Sequence, residues 1–368
     1  MDAPVSAVGD DLEVQQRLIE RITACWSTQA LRVAAELGLP DLLHEEPADA
    51  RQLAARCGCD VEALHRLLRA LCTLEICLER SDGRFELAPG GALMRAMPDD
   101  ISNGMRALAM WWGGPMWSTW EGLGYSVRTG KSARALHTGR SHYRFMDDSP
   151  GVAALFHQSM RALTRLIADD VARLALWSDV GTLVDLGGGH GELTLAIAAG
   201  QPHLQAIVLD RPDAQAGAQA LFEARGLATR VRFVAGNFFI DVPAGADCYM
   251  LKSILHNWND EDCRRILRGC ARVAAPGARL LVVERVRGQS MEPRPHDRAL
   301  ARTDLNMLIG LGGRERSLAE FTALLEGAGF AVTRTSQTRH EFDVIEARRV
   351  YGTGGRGPCS RPAAVASG

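Results

Sequence analysis

The sequence predicts an α/β protein, an open and mostly parallel sheet covered by helices, preceded by a mainly helical module of winged-helix type. Three observations carry that prediction. From about residue 180, short and continuously apolar runs alternate with helical stretches, the pattern of strands buried on both faces. A glycine-rich loop, Gly187-Gly188-Gly189-His190-Gly191, separates the first of those runs from the helix after it. Upstream, a long amphipathic stretch leads into two shorter ones and a hairpin signature.

Over 11–37 the apolar residues Leu12, Leu18, Ile19, Ile22, Trp26, Ala30, Val33, Ala34 and Leu37 recur at helical spacing, and Gly38 is a helix stop. Helical patterns follow over Ala50 to Cys57 and Val61 to Leu74. Ile76-Cys77-Leu78 and Arg84-Phe85-Glu86-Leu87 then flank the turn Ser81-Asp82-Gly83. Helix, helix and hairpin within 11–100 read as a winged helix. His65, Arg66 and Arg69 raise a DNA-reading role, but Asp60, Glu62, Glu79 and Asp82 interrupt any basic stripe that could neutralise phosphates. No nucleic-acid partner is expected, and the module reads as one for packing or dimerisation.

Residues 101–178 crowd large side chains together, among them Trp111, Trp112, Met116, Trp117, Trp120, Tyr125, Phe145, Met146, Phe156 and Met160. Such a segment can wall an aromatic ligand, with Trp112 and Met116 as candidate contacts, or it can be core; both readings stay open. Over 179–350 the expected strands are Thr182 to Leu186, Gln205 to Leu209, Val231 to Val234, Asp247 to Leu251 and Arg279 to Val283. Helices are expected at Glu192 to Ala199, Asp213 to Gly226 and Asp260 to Ala274. Phe330 to Thr333 and Phe342 to Ala347 form an expected antiparallel edge. The glycine-rich tail, 351–368, is expected to be disordered.

With 42 Lys+Arg against 44 Asp+Glu the net charge is −2, which gives no general attraction to nucleic acid or an anionic membrane. The nine cysteines are odd in number and scattered, and the one close pair, Cys57-Gly58-Cys59, lacks the partners of a zinc set. Reduced buried thiols and no metal are expected. The N-terminus has no signal-peptide pattern and no apolar run has the length of a membrane span, so a soluble cytoplasmic protein is expected.

Asp185 closes the first strand and Gly187, Gly189 and Gly191 open the next helix, where the backbone must turn sharply beneath a ligand. The loop alone would serve NAD, FAD or S-adenosylmethionine equally. Asp210, about twenty positions on at the second strand's end, can accept hydrogen bonds from two ribose hydroxyls. Asp185 would repel a pyrophosphate but suits the ammonium and sulfonium charges of S-adenosylmethionine. Asn237 and Phe238, after the third strand, could meet an adenine by amide and ring, or form an ordinary turn. His190 reads as a solvated or capping side chain.

His256 follows the fourth strand, and open α/β sheets bind ligands beyond the carboxyl ends of their strands. An imidazole near its reference pKa of ~6.5 can take a proton at neutral pH, which a phenol of pKa ~10 must lose to attack a methyl group. Glu284, at the fifth strand's end, or Glu315, in Gly312-Gly313-Arg314-Glu315-Arg316, could receive the other imidazole N–H. For Glu315 a loop salt bridge with Arg314 or Arg316 competes.

Taken together, Asp185 to Gly191, Asp210-Arg211-Pro212, Gly236-Asn237-Phe238-Phe239, His256-Asn257-Trp258-Asn259-Asp260 and Gly312 to Arg316 resemble the motifs of S-adenosylmethionine-dependent O-methyltransferases of the caffeate/hydroxyneurosporene type. The likeness runs over about 15–348. It implies a Rossmann-like methyltransferase domain, an N-terminal dimerisation domain and hence a homodimer, and His256 as base flanked by Glu284 and Glu315. It also implies cofactor contacts by Gly187, Asp210, Asn237, Phe238 and Lys252, and acceptor contacts by Phe156, Met160, Asn306 and Met307. Two positions depart: Asn237 and Asn257 stand where the family usually has Asp. The expected reaction is methylation of a phenolic hydroxyl on an aromatic or polyketide-like small molecule. The alternatives are a methyltransferase-fold enzyme doing non-methylating chemistry and a winged-helix DNA-binding regulator.

Overall fold

A computed structural model describes residues 5–96, 104–139, 142–147 and 149–350. The expected disordered tail and Cys359 lie outside the described residues. The chain divides into two compact units, one comprising residues up to 169 with 304–312, the other 170–303 with the chain from 313 on.

The first unit opens with a helix over Val5–Glu36 and continues through helices at Leu39–Glu45, Ala50–Cys57 and Val61–Thr73 to a hairpin of β1 (Cys77–Glu79) and β2 (Phe85–Leu87). Local chemistry explains the starts. Asp49 and Gln52 make a reciprocal capping box, and Asp60 caps the fourth helix through the Ala63 amide. Leu64, Leu68 and Leu71 then share the face that packs on Leu39, Leu53 and Phe85. The helix at Leu39–Glu45 was not expected; Gly38, at φ 65°, ends one helix and begins the next. The long N-terminal helix also differs from a simple core-facing one. Ala34 and Ala35 are buried, whereas Leu12, Leu18, Ile19, Ile22 and Trp26 are 53–71 % exposed.

The second unit is built on a seven-stranded sheet of order β5-β4-β3-β6-β7-β9-β8. Its strands are β3 (Thr182–Leu186), β4 (Gln205–Asp210), β5 (Val231–Ala235), β6 (Cys248–Lys252), β7 (Arg279–Glu284), β8 (Phe330–Gln337) and β9 (Asp343–Arg349). The first five run parallel, and β9 pairs antiparallel with both β7 and β8, as the expected edge requires. Leu280 to Val283 are fully buried because helices cover both faces. The crossover order places β3 and β6 side by side, so their carboxyl ends open onto one crevice.

A helix over Pro295–Gly310 was also not expected, since Arg298, Arg302 and Asp304 break its apolar pattern. Cys77, Cys248, Cys263 and Cys270 are buried as expected, but Cys25 is exposed and Cys57, Cys59 and Cys72 are half-buried; all eight described cysteines are free. Among the described residues no helix is long and apolar enough to cross a membrane.

Candidate active site

The carboxyl ends of β3, β4, β6 and β7 each deliver one polar group. After β3, Gly187, Gly189 and Gly191 adopt φ of 73°, 57° and 78°, the left-handed region that favours glycine. A Cβ on Gly187 would lie 2.4 Å from Ile254 Cδ1, so a side chain there would have to displace the Ile254 tip as well as adopt an unfavourable φ. Asp210 Oδ2 accepts the Gly189 amide at 2.6 Å, and Oδ1 accepts the Arg211 amide at 2.6 Å. A carboxylate oxygen that accepts one amide can also accept a ribose hydroxyl.

Asp185 lies buried beneath the loop, where one carboxylate oxygen accepts from Thr194 Oγ1 at 2.7 Å and Oδ1 has no hydrogen bond. Burial pushes its pKa up to about 7, against the opposing Thr194 bond. A bare carboxylate here is costly, and a ligand ammonium would remove that cost. Lys252, at the end of β6, is brought down to about 8 by burial, against the pull of Glu284.

Phe238 comes within 3.4 Å of the space that a Gly187 side chain would fill, and it packs on Phe239 and edge-on to Trp258. Asn237 spends its side-chain oxygen on the Phe239 amide at 3.0 Å, so the group it can offer an adenine is the NH2. His190 is half-buried rather than solvated: a Cβ on Gly217 would stand 2.5 Å from its ring. The glycine cradle, the unpartnered Asp185 oxygen and Asp210 fit S-adenosylmethionine.

Beyond β6 the chain passes Ser253, at φ 54°, into a tight turn over Leu255–Asn257. The amides of Ile254, Leu255 and His256 all donate to Glu284 Oε1, at 3.0, 2.9 and 3.3 Å. Glu284 can do this because β7 lies beside β6, with Val283 opposite Lys252. Asn257 Nδ2 donates to the Ser253 carbonyl at 2.9 Å, a bond that an ionised Asp in its place could not make.

The loop carrying Glu315 is pressed onto this turn. Arg314 N donates to the His256 carbonyl, and a Cβ on Gly313 would fall 2.0 Å from that same oxygen. His256 Nδ1 lies 3.1 Å from Glu315 Oε1 and 3.5 Å from Glu284 Oε2, with both glutamates 0 % exposed. That burial overturns the loop salt bridge as the account of Glu315. Arg314 pairs with Asp260 and Glu320, while the fully buried Arg316 donates to the Leu255 and Trp258 carbonyls and to Asp260. Burial lowers the His256 pKa, but the Glu284 and Glu315 carboxylates raise it more, and the net shift is upward. Glu284 itself is raised, by burial first.

The other candidates lie in the first unit. Trp111 and Met116 are enclosed with Ala133 and Ile309, and Trp112 and Phe156 pack around them. The Met116 sulfur accepts from Arg134, whose guanidinium burial brings down to about 10. Met160 is half-buried, Met307 is buried, and Asn306 has a buried side-chain oxygen without a hydrogen bond. Sequence reasoning missed Gly313 and Arg316 as supports of the His256 turn. The doubled glycine next to an Arg-Glu-Arg run was the available signal for the first; nothing local marked the second as buried.

Comparison with known proteins matches residues 120–331 to the O-methyltransferase domain and residues 19–94 to the O-methyltransferase dimerisation domain. The phenazine O-methyltransferase of Lysobacter antibioticus is 34 % identical over 334 residues, covering 90 % of this chain and 96 % of that protein. The mitomycin biosynthesis 6-O-methyltransferase of Streptomyces lavendulae is 36 % identical over 315 residues, covering 85 % and 88 %. Among solved structures, an O-methyltransferase of neocarzinostatin biosynthesis, in complex with S-adenosylmethionine and 2-hydroxy-5-methyl naphthoic acid, superposes with a TM-score of 0.74. It is 32 % identical, over 88 % of this chain and 96 % of that one.

Proposed function

The chain belongs to the family of S-adenosylmethionine-dependent O-methyltransferases, and from that premise we propose that His256 is the base that frees the acceptor oxygen for methyl transfer. The observation that carries this reading is the aim of the ring. With Nδ1 turned to two buried carboxylates, the neutral tautomer keeps its proton on Nδ1 and its lone pair on Nε2. S-adenosylmethionine, when bound, supplies a methyl group on a cationic sulfur that an oxygen lone pair can displace. As Nε2 takes the hydroxyl proton, Glu315 and Glu284 stabilise the imidazolium. Glu284 also fixes the ring's position through three backbone amides, and positioning of this kind carries much of the rate.

In this reading Gly187 and Gly189 allow close approach to the cofactor, Asp210 takes the ribose hydroxyls and Asp185 the ammonium. Asn237, Phe238 and Lys252 complete its surroundings. The acceptor is an aromatic hydroxyl compound, for which Trp112, Met116, Phe156, Met160, Asn306 and Met307 are the assigned contacts. The phenazine and naphthoic acid in the names of the relatives support that class. The working form is a homodimer joined through the exposed Leu12, Leu18, Ile19, Ile22 and Trp26 face, an apolar surface that a lone chain would leave wet. Its compartment is the reducing cytoplasm, where Cys72 and Cys77, with sulfurs 3.6 Å apart, stay unbridged.

The deciding experiment replaces His256 by Ala. Turnover with an aromatic hydroxyl acceptor should fall by roughly 10²- to 10⁴-fold, while calorimetry shows S-adenosylmethionine binding as before. Undiminished turnover would overturn the assignment of the base.

A further inference from the structure

We propose that His256 Nδ1, Glu284 Oε2 and Glu315 Oε1 form a capture site for a borderline-soft dication such as Zn2+, and that filling it switches the enzyme off. The donor set is one imidazole and two carboxylates, with ligating atoms within 4.8 Å of one another. Two of the donor-to-donor distances are 3.1 and 3.5 Å. A tetrahedral zinc with bonds of ~2.0 Å has ligands ~3.3 Å apart, so these edges already stand near the required length. Three protein ligands with a fourth position open is also the usual arrangement of a zinc site that exchanges small molecules.

The carboxylates are in place before any ion arrives. Glu284 Oε1 is held by three backbone amides, which leaves Oε2 buried and without a hydrogen bond, facing the imidazole. Glu315 is held by the loop that Gly313 and Arg314 press onto the His256 carbonyl. One imidazole and two carboxylates are a donor set suited to a dication, and the nitrogen donor disfavours Mg2+ and Ca2+, which take oxygen ligands. The His256 side chain is 12 % exposed and is the member of the cluster that solvent reaches.

Coordination changes the proton inventory of the ring. The Nδ1 lone pair goes to the metal and the Nδ1 proton passes through solvent to Nε2, with no net proton released. A neutral imidazole then carries its single N–H at Nε2, which has no lone pair left for an acceptor proton. The inhibition rests on the reading of Nε2 as the base; the metal binding does not.

The test uses the full-length protein freed of metal by a chelator. It carries Cys25→Ser and Cys59→Ser, because accessible thiols also take zinc. Calorimetric titration with Zn2+ should show one ion bound per chain, turnover should fall in step with occupancy and a chelator should restore it. Mg2+ should produce neither effect. Glu315→Gln should weaken zinc binding by at least about 10-fold. If that variant melts early, His256→Gln serves in its place. Equal zinc binding in parent and variants, or zinc-stimulated turnover, would overturn the proposal. Zinc bound in a Glu315-dependent way with turnover unchanged would overturn the inhibition, and with it the base reading, while the capture site stands.

Discussion

Replacing Glu284 by Gln changes one charge and one donor at the centre of the site while keeping the side chain's shape. The three amides of Ile254, Leu255 and His256 require an oxygen opposite them, so the Gln carbonyl takes the place of Oε1. Bonds to a charged acceptor contribute ~1.5–3 kcal/mol and neutral ones ~0.5–1.5, so the exchange costs about 1 kcal/mol per bond, roughly 3 in total. That lies inside a typical stability of ~5–15 kcal/mol, and the variant should fold. Ala would be uninformative, because three buried N–H groups without an acceptor cost ~1–3 kcal/mol each.

The Gln NH2 is then forced toward His256 Nδ1, where Glu284 Oε2 stood at 3.5 Å. Two donors would face each other, which favours moving the ring proton to Nε2 and removes the base; Glu315, at 3.1 Å, resists that change. A charge at that distance is worth up to about 5 kcal/mol at an effective dielectric of ~20. With Glu315 still in place, a net loss of about 1.4–2.8 kcal/mol is expected, a 10- to 100-fold fall in kcat. Stopped assays with saturating cofactor measure kcat, and NMR of the labelled imidazole reads the tautomer. A folded Glu284→Gln protein with kcat within about 3-fold of the parent would refute the reasoning.

Gly313→Ala drives a methyl group onto the His256 carbonyl; we expect about 1–3 kcal/mol of destabilisation in thermal melts and roughly 10²-fold lower kcat from the displaced ring. Arg316→Met leaves the Leu255 and Trp258 carbonyls without their donor while Asp260 keeps Arg314, and denaturant unfolding should show a loss of about 1–3 kcal/mol per carbonyl. Glu320, which takes the Ser317 amide and Arg314, is held down to about 2 from an ordinary 4.5. Its folded pKa is depressed, so its contribution is full above pH 4.5 and is lost as pH falls toward about 2. The stability gap between parent and Glu320→Gln, up to about 3 kcal/mol near neutrality, should therefore close over that window. Ile22→Glu with Trp26→Glu places charge on the exposed helix face, and sedimentation should show monomers; a dimer that persists would move the interface elsewhere.

Local pattern was enough to specify the sheet, the cradle and the histidine. Strands buried on both faces read as apolar runs wherever they lie, a loop beneath a ligand needs glycine whatever surrounds it, and His256 followed a strand end that any parallel sheet turns toward its ligand crevice. Contacts distant in sequence decided the rest. The choice between Glu284 and Glu315 dissolved because β7 and the Gly313 loop bring both to one imidazole, a meeting that no spacing encodes. Arg316 looks like any loop arginine until Leu255, Trp258 and Asp260 close around it. The helix at Pro295–Gly310 hid behind its charged residues. The stripe from Leu12 to Trp26 was legible as a helix face, yet periodicity cannot say which surface will cover it. Burial is a property of the assembled chain, and it is what encloses one imidazole edge between two glutamates.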